Sequence, residues 1–185
     1  MSRITMFSIK ETGKYGKGVY AAKLIQKGTV IHTLSGERMT LNDLVEKVLS
    51  NKENIDDPFQ IGKRTYIDLD AVSRTFNHSC EPSAGIRKNS ELFALRTIQK
   101  GDEITYDYSA TISPTKWSMR CLCGSKRCRK TLGDVRTIPK RQLAEYWQSG
   151  ALQRYMKGIL KDIENNVYEV PAYELQALKK LNEKK

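Results

Sequence analysis

Asn77-His78-Ser79-Cys80 and, far downstream, Cys121-Leu122-Cys123-Gly124-Ser125-Lys126-Arg127-Cys128 are the two stretches whose joint reading decides the fold. Together they hold all 4 cysteines of the chain. Four thiolates close a tetrahedral zinc site, provided that the chain brings Cys80 back beside the other three. Two disulfides would use the same four residues, so an even count alone leaves both readings open. A free buried cysteine is an ordinary small hydrophobe, which suits Cys80 taken alone but not the Cys-x-Cys-x4-Cys cluster. The start, Met1-Ser2-Arg3-Ile4-Thr5-Met6, lacks the apolar core and cleavage site of a signal peptide. No segment approaches the roughly 18 continuous apolar residues of a membrane span. The expectation is an intracellular protein with no membrane partner, where clustered cysteines hold metal more often than they form disulfides.

Working outward, 185 residues with 39% hydrophobic content suffice for one domain with a core plus an extension. The formal net charge of +11, from 32 basic and 21 acidic side chains, attracts anionic partners at low salt. It leaves direct contact with nucleic acid open, since lysines spread over a solvated face give the same sum. Lys116, Arg120, Lys126, Arg127, Arg129 and Lys130 crowd the cysteines and support one competing reading, a zinc-stabilised basic nucleic-acid binding module.

Short strands separated by glycine turns fill the first half. Phe7-Ser8-Ile9, Val19-Tyr20-Ala21 and the run entering at Gly28 read as extended, as do Phe59-Gln60-Ile61 and Tyr66-Ile67-Asp68-Leu69. Leu92 to Ile98 and Glu103 to Tyr108 read as two further strands around a turn at Gln99-Lys100-Gly101-Asp102. Thr40 is placed to cap a helix through Leu41, Leu44, Val45 and Val48, with Asp43 at its third position. From Pro139 the character changes. Leu143, Trp147, Leu152, Tyr155, Met156, Ile159, Leu160 and Ile163 recur at helical spacing, interrupted near Ser149-Gly150, and the end reads as a lysine-rich helix. The fold class is therefore mainly β with short helices and a C-terminal helical extension.

Four segments, in this order, resemble the SET-domain protein-lysine methyltransferases: Gly16-Lys17-Gly18-Val19-Tyr20-Ala21; Phe76-Asn77-His78-Ser79-Cys80-Glu81-Pro82-Ser83-Ala84; Lys100-Gly101-Asp102-Glu103-Ile104-Thr105-Tyr106-Asp107-Tyr108; and the cysteine segment Cys121 to Arg129, which is similar to a post-SET segment. The resemblance implies a SET catalytic domain over 3–110, a post-SET zinc-binding segment over 111–133 and the helical extension over 138–185. It implies small β-sheets around a knot-like crossing where the Asn-His-Ser-Cys and Tyr-Asp-Tyr segments meet, an exception to the usual absence of threaded connections. It also implies methyl transfer from S-adenosylmethionine to a protein lysine, with cofactor and peptide entering from opposite faces. The Gly-Asn step that commonly leads into the Asn-His motif is absent here, and Arg74 stands in the lead-in instead.

Carried residue by residue, the resemblance gives Gly16, Lys17, Gly18, Tyr20, Asn77, His78 and Tyr108 to the cofactor. It gives Cys80, Cys121, Cys123 and Cys128 to one structural zinc; His78 is a rival ligand, but four cysteines already complete a tetrahedron. Tyr108 is the catalytic tyrosine. A lysine with pKa about 10.4 must shed its proton, which costs about 4.6 kcal/mol at pH 7, and an aromatic desolvating channel lowers that figure. Tyr106 is a second catalytic and substrate-binding residue, whose hydroxyl leaves less room for a methylated amine and so predicts mainly monomethylation. Tyr66 is assigned to the substrate face, Asp107 to support of the crossing, and Trp117 to a place on the cofactor or beside zinc. His32 has no motif around it and reads as an ordinary polar strand residue. The expected partner is a lysine-bearing histone or another basic, nucleic-acid-associated protein, in the cytoplasm or nucleoid of a microbe or the nucleus of a eukaryote. A catalytically silent SET scaffold is the remaining alternative.

Overall fold

The computed structural model describes residues 5–13, 16–50, 52, 57–115, 117–169 and 179. Because glycine turns keep the strands short, no wide sheet forms, and the described strands make four small antiparallel sheets. β1 (Phe7–Glu11) and β2 (Lys17–Ala21) are a hairpin. β3 (Val30–Thr33) joins a second sheet and β4 (Gly36–Thr40) a third. Thr40 then caps α1 (Leu41–Leu49): its hydroxyl accepts the Asp43 N–H at 3.2 Å, and the Asp43 carboxylate accepts the Thr40 N–H at 2.8 Å. This reciprocal box is the one the sequence predicts, and such caps contribute about 1 kcal/mol.

β5 (Phe59–Gln60) and β6 (Thr65–Leu69) complete the β4-β6-β5 sheet, and β7 (Ala84–Arg87) and β8 (Glu91–Ala94) the β3-β8-β7 sheet. β9 (Met119–Arg120) pairs with β10 (Thr131–Leu132) beside the cysteines. α2 (Lys140–Ser149) and α3 (Arg154–Glu164) follow, parted at Gly150, whose φ of 76° is the left-handed cap that glycine adopts without strain. No described helix is long and apolar enough to cross a membrane.

Two departures from the sequence reading share one cause. The apolar run from Leu92 does not continue as a strand to Ile98. It serves β3 and β7 as far as Ala94, turns at Leu95, and then pairs Ile98 with Ile25 through two 2.9 Å bonds. The run from Glu103 to Tyr108 likewise changes partner: Glu103 bridges Tyr20 of β2, Tyr106 bridges His78, and a 3-10 turn begins at Tyr108. Apolar alternation reports burial, not a constant partner. β4 and β7 were not anticipated, because Gly36-Glu37-Arg38-Met39-Thr40 and Ala84-Gly85-Ile86-Arg87 carry too little alternation. Most of the polar stretch 51–58 and nearly all of the lysine-rich end lie outside the described residues, although Lys179 is helical.

The main apolar cluster gathers Val19, Ile25, Phe59, Phe76, Leu92 and Ile104, with Tyr106 buried and Tyr108 half-buried against it. A second cluster seats α2 and α3 against the sheet-bearing part of the chain. Tyr146, Leu152, Met156 and Ile159 pack with Phe93 of β8 and Ala110 of the turn after Tyr108. The helical periodicity thus marks a face packed within the same chain.

Candidate active site and metal centre

The two short segments predicted to meet do so. His78 and Tyr106 form a parallel bridge, in which the Tyr106 N–H donates to the Asn77 carbonyl and the Ser79 N–H to the Tyr106 carbonyl, each at 3.1 Å. Tyr108 is held from both ends: its N–H donates to His78 Nδ1 at 3.2 Å, and its hydroxyl donates to the Phe76 carbonyl at 2.9 Å. The Tyr106 and Tyr108 rings lie with centroids 4.9 Å apart, and Phe59 meets Tyr106 edge-on at 6.2 Å. Burial pushes both phenols up, Tyr106 with the neighbouring Tyr108 adding and Tyr108 with Glu103 and Asp57 adding. Both hydroxyls are therefore protonated at neutral pH.

Beside this pair stands the glycine segment. Asn77 Nδ2 donates to the Lys17 carbonyl at 3.0 Å and to Glu103 Oε1 at 2.8 Å. Gly18 lies so close that a Cβ there would meet Glu103 Oε1 at 2.6 Å and Asn77 Nδ2 at 2.9 Å. Gly16, with φ of 75°, makes the preceding left-handed turn. Tyr20 borders the same edge through its bridge to Glu103, and the Lys10 ammonium sits 5.4 Å from its ring centre. Gly16, Lys17, Gly18, Tyr20, Asn77 and Tyr108 are thus gathered around the crossing, with Glu103 as a member that the sequence reading quoted but gave no role. Tyr66 is not gathered there. It pairs with Gln60 and packs with Met39, Leu41 and Leu44 near α1, while its neighbour Ile67 faces the main core. Arg74 is engaged by Asp57, Asp68 and the Leu69 carbonyl.

The chain does bring Cys80 back to the downstream cysteines. Cys80 and Cys121 are buried, with sulfurs 3.7 Å apart. That is no disulfide, yet it matches the roughly 3.8 Å edge of a tetrahedron with zinc–sulfur bonds of about 2.3 Å. The donor atoms of His78, Cys80, Cys121 and Cys123 all lie within 4.8 Å of one another. Backbone N–H groups aim at the sulfurs, from Arg129 to Cys80 at 3.3 Å and from Lys130 to Cys128 at 3.4 Å. Burial pushes the Cys80 and Cys121 thiols up. Burial also acts on Cys123, but hydrogen bonds around its sulfur, including one from Ser125, outweigh it and bring it down to about 6. A soft, partly anionic sulfur set of this kind fits Zn²⁺.

His78 enters that group of donor atoms in the wrong hydrogen-bonding state for a ligand. Its Nδ1 already accepts the Tyr108 N–H, so the neutral ring carries its proton on Nε2, which points at Cys80 Sγ at 3.2 Å. A ligating histidine ordinarily donates through its second nitrogen; here ligation through Nε2 would demand an imidazolate. Burial keeps the ring neutral, with Asp107 opposing and Arg129 assisting, so that its pKa falls to about 4. Cys128 stands just outside the tight group, against the same Cys80–Cys121–Leu132 cluster, where Trp117 also packs.

Asp107 supports the crossing more extensively than expected. Its buried carboxylate takes both ends of the Arg129 guanidinium, at 2.7 and 2.6 Å, together with the Ser109 N–H and the Tyr146 hydroxyl at 3.1 Å. Arg129 is accordingly an inward cation, which removes it from the basic face proposed for nucleic acid. Arg127 faces Glu81 at 3.6 Å, and Lys116 lies outside the described residues. Sequence reasoning also missed Tyr146 and Gln142, whose signal is a polar pair at i and i+4 on a helix whose buried residue is Tyr146.

Comparison with known proteins agrees with this geometry. The SET-domain family model matches residues 16–109, just over half of the chain. Histone-lysine N-methyltransferase trithorax of Drosophila virilis is 35% identical over 130 residues, covering 64% of this chain and 3% of that protein. Human histone-lysine N-methyltransferase 2B is 33% identical over 130 residues, covering 64% of this chain and 5% of its own length. The chain thus spans only a few per cent of these curated relatives. Among solved structures, the methyltransferase domain of human histone-lysine N-methyltransferase SETMAR superposes with a TM-score of 0.54 at 24% identity, over 69% of this chain and 58% of that one. KRYPTONITE, solved with mCHG DNA and SAH, also gives 0.54 at 24% identity, over 68% of this chain and 28% of that one. At that identity the two structures speak for the fold. With the Gly16–Gly18, Asn77–Cys80 and Tyr106–Tyr108 segments meeting as described, and the family model spanning all three, the chain belongs to the SET-domain family.

Proposed function

We propose that this protein transfers a methyl group from S-adenosylmethionine to the side-chain amine of a protein lysine, with histone tails or other basic chromatin proteins as acceptors and the nucleus as its site in a eukaryote. The observation that carries this reading is the Tyr106–Tyr108 pair, 4.9 Å between centroids, set beside the Gly18–Asn77–Glu103 cradle. The bound sulfonium supplies the electrophilic methyl group, and the chain supplies alignment and exclusion of water. Gly16, Lys17, Gly18, Tyr20, Asn77 and His78 form the cofactor side. Tyr108 is no general base, because burial holds its phenol protonated and its proton is given to the Phe76 carbonyl. Its oxygen lone pairs remain to accept an amine N–H, which turns the nitrogen lone pair towards the methyl group. The rings of Phe59, Tyr106 and Tyr108 desolvate the amine and favour its neutral form.

The test uses labelled S-adenosylmethionine with core histones and mixed basic proteins, followed by mass-spectrometric mapping. Tyr108→Phe removes the orienting oxygen and is expected to lower kcat about 10²-fold while cofactor binding persists. Undiminished lysine methylation by that variant would sink the reading. Tyr106 sets the product as mainly monomethyl-lysine by crowding the amine. Tyr106→Phe is expected to raise the dimethyl fraction, and an unchanged product distribution would remove that role. For the metal we propose Cys80, Cys121, Cys123 and Cys128 as ligands of one structural zinc ion, with the hydrogen bonding of His78 arguing against it as the fourth.

A further inference from the structure

We propose that α2 braces the reaction centre, with Tyr146 and Gln142 acting as positioning residues that couple the cysteine cluster to Tyr108. The inference rests on the function proposed above only for its activity readout.

Tyr146 is buried, and its hydroxyl uses both hydrogen-bonding capacities: it donates to Asp107 Oδ2 at 3.1 Å and accepts from Gln142 Nε2 at 2.5 Å. The second hydrogen of Gln142 Nε2 goes to the Cys80 carbonyl at 2.8 Å. One turn of helix therefore holds the residue next to Tyr108 and the residue whose sulfur lies in the cluster. Inside the crossing the same two points are joined again. Asp107 binds the Arg129 guanidinium, and the Arg129 N–H donates to Cys80 Sγ at 3.3 Å. His78 closes the ring of contacts, accepting the Tyr108 N–H on one nitrogen and facing Cys80 Sγ with the other.

Such a closed circuit has a mechanical consequence. A shift of Cys80, as when a cluster loses its metal, pulls on Gln142, His78 and Arg129 together, and each leads to Asp107 or Tyr108. Apolar packing gives α2 itself little to hold it, since Tyr146 is its buried residue and Leu143 is only partly buried, whereas Leu152, Met156 and Ile159 belong to the α2–α3 connection and α3. The bonds of Tyr146 and Gln142 therefore fix where α2 sits. Polar groups this deep are satisfied in register or they destabilise, so they specify one arrangement of the segments they join.

The experiment compares wild type with Tyr146→Phe and Gln142→Leu, and with Ile163→Ala as a packing control at the partly buried edge of the same cluster. Each zinc-loaded protein is assayed for chelator-driven zinc release, for kcat and KM separately, and for its thermal midpoint. Tyr146→Phe and Gln142→Leu are expected to speed zinc release and lower kcat about 10-fold, the scale for outer-shell partners of a metal site, with KM nearly unchanged. Ile163→Ala is expected to lower the midpoint but leave release and kcat at wild-type values. If either release or kcat in both network variants stays at the wild-type value at a temperature where all are folded, the coupling is overturned. Should wild type itself transfer no methyl group, the function proposed above fails, while zinc release in the variants still decides whether α2 holds the cluster.

Discussion

The two sides of the site are held by different forces. The Tyr106–Tyr108 side belongs to a large apolar cluster drawn from most of the sheets, with Val19, Phe76 and Ile104 almost completely buried. The cysteine side has little of its own: Cys80, Cys121 and Leu132 buried, Trp117 beside them, and a pair of two-residue strands. Burial of apolar area secures the first at roughly 25 cal/mol per Å² without any ligand. The second has too few apolar contacts to order itself, and a structural metal is the remedy for such a deficit. The contrast teaches that one site is shared between a wall that stands alone and a wall that, on the proposed ligand set, leans on one metal ion.

The largest effect should follow from breaking that dependence directly. Stripping zinc with a chelator is expected to abolish methyl transfer while the far-ultraviolet circular dichroism of the β core persists. Activity retained by protein shown to be metal-free would mean that the two walls are independent. Cys128→Ser sharpens the same contrast, and is expected to cut zinc affinity by about 10- to 100-fold or more, whereas His78→Gln should leave the stoichiometry of one zinc intact. Metal loss on replacing His78, with none on replacing Cys128, would reverse the ligand assignment.

On the apolar side a smaller lesion is available. Gly18→Ala puts a methyl group 2.6 Å from Glu103 Oε1 and 2.9 Å from Asn77 Nδ2, so the cradle must open. The expected result is a rise in KM for S-adenosylmethionine, about 10-fold for a displacement costing roughly 1.4 kcal/mol, with zinc content untouched. An unchanged cofactor KM would place the cofactor away from this cradle.

The same contrast explains what the sequence made legible. Local chemistry was readable wherever it is completed within a few residues. The Thr40–Asp43 cap, the Gly150 break between helices and the Cys-x-Cys-x4-Cys cluster are of this kind. The meeting of Asn77–Cys80 with Tyr106–Tyr108 came from family resemblance alone, because no strand propensity specifies a parallel bridge between His78 and Tyr106. Partner switching was illegible for a related reason. Leu92 to Ile98 is mostly apolar, broken only by Arg96 and Thr97, although two different neighbours bury its two ends. Tyr146 and Gln142 escaped notice because helical periodicity records which face is buried and is blind to a hydroxyl aimed at one carboxylate. Tyr66 was assigned from its strand alone, and the strand does not reveal that the ring packs with the α1 cluster.

The smallest expected effect probes the apolar wall through a residue that the sequence reading set aside. His32 stacks on Phe76 with centroids 5.5 Å apart, meets Phe7 edge-on, and lies 3.1 Å from Ser73 Oγ. Burial lowers its pKa, with Asp70 opposing in part, so the folded chain resists a proton that the unfolded chain accepts. The contribution is therefore complete above the unfolded value of about 6.5 and is lost as pH falls below it. Urea unfolding between pH 7.5 and 5 should show wild type losing more stability than His32→Gln over that interval. Parallel curves would mean that the ring is protonated without penalty in the fold.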